Sequence, residues 1–183
     1  MTRRPPAPSV ESAGDRHRAA SLPRRLGALC YEALLLVALA ICAGFALLPL
    51  ASPAHADSLT IPPVFVRTML FCALVAGAAF YYTWFWTKGR RTLPQKTWRL
   101  RLVTADGSHV SRARALVRYA AIWIGPALAV AAYATLRGAV ASRYAALLLL
   151  INYAWALIDR DRQFLHDRLA GTRIVDDARI GQR

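Results

Sequence analysis

Asn152-Tyr153-Ala154-Trp155-Ala156-Leu157-Ile158-Asp159-Arg160-Asp161-Arg162-Gln163-Phe164-Leu165-His166-Asp167-Arg168-Leu169-Ala170-Gly171-Thr172-Arg173-Ile174-Val175 decides how the rest of the chain is read. It begins as the last turns of an apolar helix and carries aromatic side chains suited to a water interface. It then enters a weave of opposite charges and stops at a Gly-Thr breaker before a short β-branched tail. A helix leaving a bilayer needs that order of parts; few soluble folds do.

Moving outward, the 183 residues are 56% hydrophobic yet carry a formal charge of +14. Those values conflict for a soluble domain and agree for a multi-pass membrane protein with basic loops. A nucleic-acid binder could reach the charge, but it would not carry repeated apolar runs of about 20 residues. Cys30, Cys42 and Cys72 all fall inside apolar runs without metal-ligand spacing. They read as small core or lipid-facing residues rather than disulfides, and no cofactor or metal is expected.

Four apolar runs suggest an all-α transmembrane, four-span helical bundle, with spans at about 26–50, 64–86, 115–136 and 139–158. Residues 1–22 read as a disordered basic tail, 23–176 as the membrane domain and 177–183 as a short C-terminal tail. The first run with Ala54-His55-Ala56 also imitates a signal peptide and its cleavage site, although it is long and contains Glu32. Gly125-Pro126 predicts a kink in the third run, which in a three-span alternative lies partly in the interface.

Lys and Arg number 6 in the tail through Arg25, none in the first loop, 9 in residues 88–118, 2 in the loop 136–143 and 6 from Asp159 onward. Heavy and light segments alternate, so the positive-inside rule places both termini and the middle segment in the cytoplasm. Within that segment Trp98-Arg99-Leu100-Arg101-Leu102 alternates like a half-buried strand, and Asp106-Gly107 supplies a turn. A short cytoplasmic β-hairpin between spans 2 and 3 is expected, with His109-Val110 returning as partner strand and the basic edge against anionic lipid headgroups. Ser111 reads as the N-cap of the helix carrying Arg112, Arg114 and Arg118.

Three blocks, in order, resemble the RDD family of small bacterial membrane proteins. The first is Arg25 followed by Glu32, where the family has aspartate at the second position. The second is Gly89-Arg90-Arg91-Thr92-Leu93-Pro94-Gln95-Lys96 with Trp98 to Val103, Asp106-Gly107 and Leu116-Val117-Arg118; here Arg90, Arg91 and Pro94 replace the usual Gly, Gln and Gly. The third, and the best match, is Trp155, Asp159, His166, Asp167, Ala170, Gly171 and Thr172. The resemblance spans roughly residues 24–176 and implies a multi-pass protein of the bacterial inner membrane. For function it implies little beyond transport, with sodium/proton exchange attributed to some members.

Glu32 is the sharpest candidate, because a carboxylate inside an apolar helix must be paired, hydrated or protonated. Arg25 lies on the same helix face about 10 Å along the axis, so a partner on another helix or a line of water is expected. Glu32 reads either as a proton- or cation-binding group or as a structural inter-helix pair. Asp159 and Arg162, one turn apart, are expected to pair at the membrane face. Asp167 is expected to anchor the C-terminal segment to a basic residue of 88–118, with Arg118 the first choice. His166 beside Asp167 lacks a positioned nucleophile, so no catalytic residue is assigned and the chain is not read as an enzyme. Asn152 reads as an inter-helix hydrogen bonder.

Two functions follow. One is a transport or ion-exchange module, with Arg25 and Glu32 lining a polar path, for which a bundle this small needs to form a homo-oligomer. The other is a scaffold binding a partner protein or anionic lipid through its basic face.

Overall fold

The computed structural model describes residues 19–51, 63–137 and 140–177. The tail before Ala19, the signal-like Ala54-His55-Ala56 and residues 178–183 lie outside the described residues. Two long apolar helices come first, α1 (Leu22–Ala51) and α2 (Val64–Trp86). The short α3 (Leu93–Thr97) and strand β1 (Leu100–Thr104) follow. Next come α4 (Arg112–Ile122), α5 (Ile124–Thr135), a 3₁₀ helix over Val140–Leu150, α6 (Ile151–Ile158), α7 (Leu165–Leu169) and β2 (Thr172–Asp176).

Among the described residues, three helical stretches are long and apolar enough to cross a membrane: Leu22–Phe45, Val64–Trp86 and Arg112–Thr135. The fourth apolar helix, Ser142–Ile158, is shorter. Apolar side chains such as Leu34, Leu39, Phe65 and Phe80 point outward from α1 and α2, as lipid contact requires. All three cysteines are likewise exposed.

The third stretch is interrupted at Trp123, between α4 and α5. The cause is Pro126, which has no N–H to give the carbonyl four residues earlier, that of Ile122. Asn152 on α6 replaces the missing donor: its Nδ2 donates to the Ile122 carbonyl at 3.0 Å. A neighbouring helix thus repairs the broken ladder, which is how proline is tolerated in apolar helices. Asn152 is therefore the inter-helix hydrogen bonder expected, and its partner explains why an amide sits there.

The strands correct one expectation. β1 pairs antiparallel not with His109-Val110 but with β2, in the register Leu100↔Asp176 to Thr104↔Thr172. The Asp106-Gly107 turn forms, with Asp106 Oδ1 accepting hydrogen bonds from the Ser108 amide and hydroxyl. The chain beyond it is committed at once to α4, because the Ser111 hydroxyl caps that helix by accepting from the Arg114 amide. No residues remain for a return strand, whereas the β-branched segment after Gly171 offers an unpaired one. Thr92 and Gln95 form a reciprocal capping box on α3.

Ala19 bridges to Val175, and the Ala20 amide donates to the Ile174 carbonyl at 2.9 Å. The structured chain therefore begins before residue 23, the boundary expected for the membrane domain. Arg24 pairs with Asp176, Arg91 with Asp177, and Arg101 Nε with Asp177 at 2.9 Å. Arg91 and Arg101 are thus committed to a carboxylate rather than presented to headgroups. The result is a small cap over the ends of α1, α2, α4 and α6. Its core includes Leu100, Leu102, Val110, Ala115 and Ile174, with Trp86 and Tyr119 contributed from the bundle.

Candidate functional site

Where the bundle meets the cap, a cavity of about 50 Å³ is lined by residues of eight elements. That is room for one or two water molecules. Arg25 and Glu32 come from α1, Tyr82 and Trp86 from α2, Arg118 from α4 and Tyr153 from α6. Gln95 and His166 complete its polar lining, and Leu100 and Ile174 form the cap side. Residues far apart in sequence meet here because α1 and α4 start, and α2 and α6 end, at this side of the bundle.

Arg118 is the centre of the charge arrangement. Its Nε donates to Asp167 Oδ1 at 2.7 Å, with both side chains almost wholly buried, so the expected anchor between the closing segment and the middle segment exists. The guanidinium also lies over the Trp86 ring, 4.2 Å from its centroid. Thr172 closes the far side of Asp167, its hydroxyl 3.4 Å from the Asp167 carbonyl.

Arg25 is held differently. It is 3% exposed, donates through Nη2 to the Arg162 carbonyl, and lies 5.0 Å from the Phe164 ring centroid. Arg162 presents that carbonyl from a left-handed backbone position (φ 51°). Asp159 and Asp167 act on Arg25 through space, with no direct ion pair among the described residues. The pairing expected between Asp159 and Arg162 is replaced. The Asp159 carboxylate accepts from the Asp161 and Gln163 amides at 3.1 and 2.9 Å, and Arg168 approaches it at 3.6 Å. Asp159 therefore shapes the turn that aims the Arg162 carbonyl at Arg25.

Glu32 lies inside this frame. Arg118 acts on its carboxylate through space, from α4. Among the described residues no ion pair joins Glu32 to a base; the one that Arg118 makes goes to Asp167. Glu32 Oε1 has no partner, and neither do Arg25 Nε or His166 Nδ1, although all three atoms are buried. Such groups beside a small cavity are where water or a small ion gains most.

His166 stacks on Phe164 and meets Tyr153 edge-on. Burial is the main reason its imidazole is pushed down to about 4, against the opposing pull of Asp167. It is therefore neutral at pH 7. Of the residues singled out from sequence, Arg25, Glu32, Arg118, His166 and Asp167 converge here. Asn152 and Asp159 act one layer out. Thr92, Gln95, Trp86 and Phe164 were not singled out, although each directly shapes the site.

The RDD family model matches residues 19–171, and the chain belongs to that family. No curated protein and no solved structure matches it.

Proposed function

We propose that this RDD family member is a four-span inner-membrane protein that moves a proton or a small cation, with Glu32 as the exchanging group. The observation that carries this reading is the buried Glu32 Oε1, left without a partner beside the cavity. With Glu32 ionised, Arg25 and Arg118 balance Glu32 and Asp167. A proton or cation taken up by Glu32 leaves one positive charge in excess beside the buried Arg118–Asp167 pair. Alternating access requires that this change be coupled to a switch between discrete packed arrangements.

The fourth span is supported by its geometry. The 3₁₀ helix Val140–Leu150 rises about 2 Å per residue rather than 1.5 Å, so with α6 the segment is roughly 34 Å long. That exceeds the roughly 30 Å hydrocarbon thickness of a bilayer. The distribution of Lys and Arg supports a cytoplasmic side for the cap and both termini. Since the cavity lies at one end of the bundle, a path to the far side would run between copies of the chain in a homo-oligomer.

The test is proton flux in sealed liposomes under an imposed pH gradient, with sodium or potassium added. Wild type and Glu32→Gln are compared at equal incorporation. Cation-dependent dissipation lost in the variant is the expected result. Equal flux in both, or none in either, would sink the assignment and favour the scaffold.

A further inference from the structure

A second, larger hollow of about 260 Å³ lies on the outer surface at the end of α2, lined by Phe80, Thr83, Trp84, Thr87, Arg90 and Arg112. Arg90 is locked in place. Its Nε donates to the Trp84 carbonyl at 2.8 Å, its Nη2 to the Thr87 hydroxyl at 3.2 Å, and its guanidinium lies 4.2 Å from the Trp84 ring centroid. Arg112 enters from the first turn of α4. Among the described residues, no ion pair joins either arginine to a carboxylate.

The first turn of α4 is electrostatically the wrong way round. It holds Arg112 and Arg114 and no acidic residue, at the end where the helix dipole favours negative charge. An anion in the hollow would answer both guanidiniums and the helix end together. Below the arginines, Phe80 stacks on Trp84 with ring centroids 6.0 Å apart, and both rings are exposed. The Thr83 hydroxyl oxygen is buried without a partner at the same place. Charge above, a hydroxyl between and aromatic faces below match the order of parts in a phospholipid: phosphodiester, glycerol ester and acyl chain.

We propose that this hollow is a binding site for one anionic phospholipid, whose phosphodiester sits between Arg90 and Arg112 and whose acyl chain lies along Trp84 and Phe80. The proposal rests on the chain being embedded in a membrane and not on transport, so loss of flux leaves it standing. Choline-bearing lipid shares the phosphodiester but places a fixed cation beside two guanidiniums, so the site discriminates against it.

The test is native mass spectrometry of the purified full-length protein in neutral detergent, with equal phosphatidylglycerol and phosphatidylcholine added. Wild type should retain one phosphatidylglycerol with about thirtyfold preference, the size expected from two basic groups at the headgroup level. Arg90→Gln/Arg112→Gln should lose that preference, while Lys96→Gln/Arg160→Gln, which removes the same charge from exposed positions, should keep it. Arg112→Gln alone removes a misplaced charge from a helix start, so it should fold at least as well and still lose most of the preference. No preference in wild type, or equal losses in the site and control pairs, would overturn the proposal in favour of diffuse attraction. Displacement of the lipid by millimolar inorganic phosphate would overturn it in favour of a free-phosphate site.

Discussion

Gly125 and Gly77 both sit inside apolar helices, yet they live in different solvents. A methyl group added to Gly125 would meet the Leu148 carbonyl oxygen at 2.9 Å and that of Leu149 at 3.1 Å; one added to Gly77 would meet nothing within 4 Å. The same contrast separates two regions of the molecule. At the cap end, charged groups are buried, Arg118 and Asp167 as a pair, and strand side chains are sealed, much as in a soluble domain. Along α1 and α2, away from the cap, side chains such as Leu39 and Phe65 face outward. There lipid supplies what water would withhold, and a side chain gains little by touching protein. The cap end should therefore respond to substitution like a protein core, and the outer faces hardly at all.

The strongest test of that contrast is Asp167→Ala, which leaves Arg118 buried without its partner. We expect a loss of about 3–5 kcal/mol, read by denaturation in detergent. Leu39→Ala on the outer face of α1 should stay within about 0.5 kcal/mol of wild type. A large cost for Leu39→Ala would mean that α1 packs against protein rather than lipid.

Acid should reveal the cap next. Burial holds the His166 imidazole down at about 4, against 6.5 when exposed, so the unfolded chain binds the extra proton between those values. Stability is therefore full above pH 6.5 and falls as the pH drops toward 4, by about 3 kcal/mol. His166→Phe should flatten that part of the melting-temperature profile. An unchanged slope in the variant would move the effect to another group.

Smaller effects sharpen the comparison. Gly125→Ala should cost roughly 1–3 kcal/mol, because backbone carbonyls of the 3₁₀ helix must move away. Asn152→Leu should cost about 1 kcal/mol through the orphaned Ile122 carbonyl, and most of that cost should vanish in a Pro126→Ala background, where residue 126 regains its N–H. Equal costs in both backgrounds would break the link between proline and asparagine. Gly77→Ala should be neutral or stabilising by up to about 1 kcal/mol, from helix propensity alone.

These tests also mark what was legible in the sequence. The apolar runs announced the helices because a span must satisfy its own backbone and show lipid an apolar face. The Arg118–Asp167 anchor was legible because the resemblance singles out Asp167 and the basic middle segment offers it a cation. The partner of β1 was not, since a turn signal beside a strand favours the local hairpin. The long-range pairing wins because the chain beyond the turn is committed to α4, and β1 and β2 bury Leu100 and Val175 when they pair. Nor could sequence place Phe164 under Arg25 or Trp86 under Arg118, because these ring contacts join elements far apart in the chain.

The central claim is that Glu32 exchanges a proton or cation within an intact fold rather than merely tying helices together. Infrared difference spectroscopy of the reconstituted protein tests it directly, by comparing wild type with Glu32→Gln across a pH series with and without sodium. We predict a carboxyl band that titrates reversibly, disappears in the variant and is shifted by sodium. A Glu32 carboxylate signal that stays constant over every pH at which the fold survives would contradict the claim and leave Glu32 as a structural ion-pair partner.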